Sequence, residues 1–107
     1  MTAATQHQLP SQTEEFMRVL QRHLPELLQA NGVRALWLFG SYVRGEEEQI
    51  SDLDVLVEFD DRPLSLFKFV ELENHLSDLL GVKVDVVMKS ALKPGIGQYI
   101  LADAVPV

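Results

Sequence analysis

From Thr13 onward, the apolar residues Phe16, Met17, Leu20, Leu24, Leu27 and Leu28 recur at helical spacing, which predicts a core-facing first helix. Pro10 followed by Ser11-x-x-Glu14 reads as a capping box opening that helix. Pro25 is expected to kink or restart it, and Asn31-Gly32 to stop it. The rhythm then changes. Val33 to Phe39 is a short apolar run containing Trp37 that breaks off at Gly40, the pattern of a buried strand. Ser41 to Glu46 reads as a turn leading into a short helix. Next, Leu53, Val55, Val57 and Phe59 alternate with Asp52, Asp54, Leu56 and Glu58, giving a strand whose two faces differ in kind. Ser65 is placed to cap a helix that turns Leu66, Phe67, Val70, Leu72, Leu76, Leu79 and Leu80 inward and closes at Gly81. Val82 to Met88 predicts a third strand, and Pro94 to Ala104 a last short helix.

The order helix, strand, short helix, strand, helix, strand, helix implies an α+β, layered fold with helices packed on one face of a sheet of three to four strands. Whether the pairing is parallel or mixed does not follow from the pattern. Residues 1–10 are polar and irregular and are expected to form a flexible tail, leaving 11–107 as one domain. With 107 residues and 47% hydrophobic content, the chain supports one core and leaves no room for a second substrate-holding domain.

Charge and composition narrow the function. Sixteen acidic residues stand against nine basic ones, a net charge of -7, and no Lys/Arg stripe could neutralise several phosphates, so nucleic acid is not the expected partner. The chain lacks cysteine, which removes disulfides, zinc thiolates and thiol catalysis from consideration. The start MTAATQHQLP has no apolar targeting core, and no run approaches the roughly 20 apolar residues that span a bilayer. The expectation is a soluble, cytoplasmic protein with no membrane partner.

The chemistry concentrates between Leu36 and Glu58. Asp52 and Asp54 are two residues apart, so on a strand both side chains leave the same face with Cα atoms about 6.5 to 7 Å apart. Mg²⁺ prefers oxygen ligands and keeps substrate phosphates in its shell, so paired aspartates plus a triphosphate suffice as a site. Two ions about 3.5 to 4 Å apart would activate an attacking oxygen and stabilise a departing one. Asp85, set among Val84, Val86 and Val87, is the candidate third carboxylate, because an aspartate inside an apolar strand is costly unless compensated. Gly40 lets the backbone approach a phosphate, Ser41 offers a hydroxyl and an N–H, a helix starting there would add its positive end, and Arg44 is placed to add a bidentate phosphate contact.

Four fixed residues at this spacing arise by chance in roughly one chain of this length in a thousand. The pattern Gly40-Ser41-x10-Asp52-x-Asp54 with Asp85 downstream resembles that of the polymerase-β-like nucleotidyltransferase superfamily, and the short chain is similar to its minimal, MNT-type members, over roughly residues 15–105. That resemblance implies a nucleotidyltransferase core with a small mixed sheet. Gly40 and Ser41 would bind the triphosphate of ATP, and Asp52, Asp54 and Asp85 would hold two Mg²⁺ ions. It also implies an antitoxin that transfers AMP from ATP to a tyrosine hydroxyl of a HEPN-type ribonuclease toxin encoded alongside it. The chain departs from the pattern at Pro94-Gly95-Ile96-Gly97, where a more regular helix is expected.

Blander readings stand beside these. The aspartate pair could line a solvated edge strand, Gly40-Ser41 could be an ordinary strand-to-helix turn, and Arg44 could sit in a surface salt bridge. Glu46-Glu47-Glu48 reads as a solvated loop, and His7, His23 and His75 show no ligand spacing. Trp37 is expected in the core. Tyr42 and Tyr99 are chemically available for modification by the protein's own activity, without a local signal for it. A binding-only antitoxin, or an enzyme acting on a small molecule, are the competing functions.

Overall fold

The computed structural model describes residues 9–46 and 52–107. Its elements are α1 (Ser11–Ala30), β1 (Val33–Phe39), α2 (Ser41–Arg44), β2 (Leu53–Phe59), α3 (Leu66–Leu80), β3 (Val84–Met88), a 3₁₀ turn (Lys89–Ala91), α4 (Ile96–Asp103) and β4 (Val105–Pro106). The strands form one mixed sheet in the order β3-β2-β1-β4, with β1 antiparallel to β2 and β4, and β2 parallel to β3. This is the expected α+β layer, with the pairing now defined. The expected tail lies outside the described residues up to residue 8, as do Glu47 and Glu48. Among the described residues no helix is long and apolar enough to cross a membrane.

Strand register sorts the side chains onto two faces. Leu36, Leu38, Leu53, Val55, Val57, Val84 and Val86 meet Phe16, Met17, Leu20, Leu27, Leu72 and Leu76 of α1 and α3 in a single core. Each fully buried Leu or Val there is worth about 1.5–3 kcal/mol relative to exposure. The opposite face carries Trp37, Phe39, Asp54, Leu56 and Asp85, because Trp37 pairs with Leu56, Phe39 with Asp54, and Asp54 with Asp85. Phe39 and Leu56 are buried there, whereas Trp37 is only half-buried, with the Lys89 ammonium 4.9 Å from its ring centroid.

Several local expectations need correction. α1 begins one residue before the capping-box reading requires: Pro10 is its N-cap, no side chain caps it, and Ser11 is already helical. α1 also runs through Pro25 as one element, its C-terminal carbonyls at Leu28 and Gln29 accepting hydrogen bonds from the Arg62 guanidinium. On α3 the Ser65 cap forms, its hydroxyl accepting from the Lys68 N–H at 3.2 Å, but Leu66 and Phe67 of the first turn do not face the core. Leu66 and Phe67 are 77% and 75% exposed and Val70 is exposed too, whereas Leu72 and Leu76 further along α3 are fully buried in the core. The C-terminal helix forms despite its glycines. Gly97 is buried against Leu92, whose Cβ would lie 3.1 Å from an added Cβ, so the glycine permits that contact.

Candidate active site

The site begins where β1 stops. Gly40 follows Phe39 with φ of 84°, a left-handed conformation that favours glycine, and α2 starts at once with Ser41. A Cβ on Gly40 would lie 2.2 Å from Asp54 Oδ2, so the absence of a side chain is what lets the chain cross directly over the Asp54 carboxylate. α2 is pinned from the other side. The Thr13 hydroxyl of α1 donates to the Tyr42 carbonyl at 2.8 Å, and Phe16 packs edge-on against Tyr42 at 5.7 Å. α2 has four residues and ends at the left-handed Gly45, so its dipole is much smaller than the sequence reading assumed. Tyr42 is buried beneath it, which removes it as a target for self-modification; Tyr99 on α4 is 81% exposed.

The aspartates gather on the face away from the helical core. Asp54 lies inside β2 in register with Asp85 of β3, so on strands about 4.8 Å apart the two carboxylates stand side by side. Asp52 lies just before β2 starts, its carboxylate 3.9 Å from Lys83 Nζ. Burial pushes the Asp54 carboxyl up to about 6, helped by the negative charges of Asp85 and Asp52 and opposed by Arg44. Asp85 is also raised, by desolvation first and then by Glu73 and Asp52, with Lys83 opposing. Arg44 is held at the rim by Glu46 at 2.9 Å and by Asp103 of α4, so the chain alone presents it as an ion pair beside the site.

Asp52, Asp54 and Asp85 offer only carboxylate oxygens, the donors that hard divalent cations select. Asp54 is raised first by burial and then by the neighbouring charges of Asp85 and Asp52, and a cation would offset both, so the residues fit such an ion chemically. Among the described residues no three His, Cys, Asp or Glu side chains are already gathered to ligate one ion. Two neighbours escaped the sequence reading: Lys83, which faces Asp52, and Glu73, which faces Asp85 from α3. The Glu73 and Ser77 pair, polar residues at i and i+4 between Leu72, Leu76 and Leu80, was the available signal.

Known proteins resemble this chain in sequence and fold. The family model for the nucleotidyltransferase domain matches residues 20–106. Protein adenylyltransferase MntA of Thermococcus cleftensis is 51% identical over 92 residues, covering 86% of this chain and 92% of its own. A solved structure described as a minimal nucleotidyltransferase superposes with a TM-score of 0.72 at 34% identity, over 87% of this chain and 94% of that one. A toxin–antitoxin crystal structure with AMP-PNP superposes with a TM-score of 0.64 at 25% identity, over 80% of this chain and 70% of that one. A glycine closed over a strand aspartate, a second aspartate beside it in register, and these likenesses lead to one conclusion: the chain belongs to the nucleotidyltransferase domain family.

Proposed function

We propose that this chain is a protein adenylyltransferase that moves AMP from ATP onto a hydroxyl of a toxin partner and acts as its antitoxin. The observation that carries the reading is the Gly40 backbone closed over the Asp54 carboxylate in a chain 51% identical to MntA. The toxin–antitoxin structure with AMP-PNP supports both the nucleotide and the pairing with a toxin. The resemblance to minimal antitoxins extends the reading to a HEPN-type toxin and a tyrosine acceptor.

The acceptor hydroxyl oxygen forms a bond to the α-phosphorus, the bond from that phosphorus to the β-bridging oxygen breaks, and pyrophosphate leaves. Gly40 and the Ser41 hydroxyl and N–H orient the triphosphate, and Arg44 exchanges Asp103 for a phosphate oxygen. Asp52, Asp54 and Asp85 would hold two Mg²⁺ ions, which supply charge neutralisation of the triphosphate and of the transition state. Asp85, exposed on the edge strand, is placed to accept the hydroxyl proton.

A second reading has its own observation. The Leu66, Phe67 and Val70 surface on α3 is apolar and exposed, and a toxin covered by that surface would be silenced without chemistry. Asp52→Ala separates the two readings. Loss of protection in cells co-expressing the toxin supports modification, and full protection supports simple covering.

A further inference from the structure

β3 is the outer strand of the sheet, with its Asp85 turned to the catalytic face. An edge strand has no neighbour on its outer side to fix its backbone, yet a carboxylate there must hold its position to within a fraction of an ångström to serve a reaction. The two N–H groups flanking Asp85, those of Val84 and Val86, would be the unpaired edge donors. Both are taken by α3. Ser77 Oγ accepts from the Val84 N–H at 3.0 Å, and Glu73 Oε2 accepts from the Val86 N–H at 3.0 Å. The Ser77 hydroxyl in turn donates to the Glu73 carbonyl at 3.0 Å, which fixes its orientation. Glu73 and Ser77 are one helical turn apart, and Val84 and Val86 are one strand repeat apart, so helix pitch and strand pitch match across the sheet edge.

The geometry points to Glu73 as a positioning residue for the transfer reaction: with Ser77 it straps β3 to α3 on both sides of Asp85 and so holds that carboxylate beside Asp54. A charged acceptor makes the Val86 bond the stronger of the two. Glu73 does not reach the reacting atoms by this route; it acts through the strand. The inference rests on the proposed function for its activity readout, but its backbone readout stands without it.

The test compares Glu73→Ala, Glu73→Gln and wild type in the full chain. Hydrogen exchange is measured at Val84, Val86 and the sheet-centre residue Leu56, together with Mn²⁺ affinity and the Mg²⁺ dependence of AMP transfer to the partner. Glu73→Ala is expected to speed exchange at Val86 while leaving Leu56 protected, and to weaken Mn²⁺ binding by about tenfold, as loss of a ligand-orienting hydrogen bond does. Glu73→Gln keeps an acceptor oxygen and should restore both. In an Asp85→Asn background the metal effect of Glu73→Ala should disappear. Unchanged Val86 exchange in Glu73→Ala, or an equal metal effect with and without Asp85, overturns the proposal. If wild type transfers no AMP, exchange and Mn²⁺ affinity still decide the strap while the proposed activity falls.

Discussion

Gly40 is the residue on which the site geometry turns. Its φ of 84° and the 2.2 Å that would separate an added Cβ from Asp54 Oδ2 make even alanine incompatible with the present arrangement. Gly40→Ala is therefore expected to displace either the turn or the carboxylate and to lower AMP transfer by about 100-fold or more, with the core intact by circular dichroism. Asp54 gives a pH prediction. Its carboxyl is raised from the ordinary carboxylate range to about 6, so the folded state binds the proton more tightly than the unfolded chain. Its contribution to stability is thus fully present below the ordinary value and lost as pH rises through about 6. Asp54→Asn should remove this dependence, so in EDTA the Tm advantage of the variant over wild type should grow from pH 4 to pH 8. Adding Mg²⁺ at pH 8 should raise the Tm of wild type and leave that of Asp54→Asn unchanged.

At the scale of elements, β1 and the alternation in β2 were fully legible, because apolar runs bounded by glycine and by charge leave few other solutions. The Gly40, Ser41, Asp52 and Asp54 spacing was legible for the same reason, since it lies on consecutive elements. What escaped the sequence depends on how elements sit against each other. An apolar stripe on α3 does not reveal which of its residues the sheet covers, and so Leu66 and Phe67 read as core although both are exposed. Nor does it show that Thr13 reaches the Tyr42 carbonyl 29 residues away. Thr13→Val is expected to leave that carbonyl without its buried donor and to destabilise the fold by about 1–3 kcal/mol in chemical denaturation. Leu72→Ala, in the buried part of α3, should cost about 2–5 kcal/mol, whereas Phe67→Ala on its exposed turn should stay within about 0.5 kcal/mol.

For the whole molecule, the helical core lies on one face of the sheet and the candidate carboxylates on the other. Loss of Asp52 or Asp54 should therefore remove activity and spare the fold. The net charge of -7 favours a partner that presents basic residues at its contact surface. The most direct measurement mixes the purified chain with the HEPN-type toxin proposed as its partner, Mg²⁺ and α-labelled ATP, beside the Asp52→Ala variant, and reads the intact mass of both proteins. The partner is expected to gain one or more AMP units with wild type and none with the variant. A stable complex in which neither protein gains label, or equal labelling with Asp52→Ala, would contradict it.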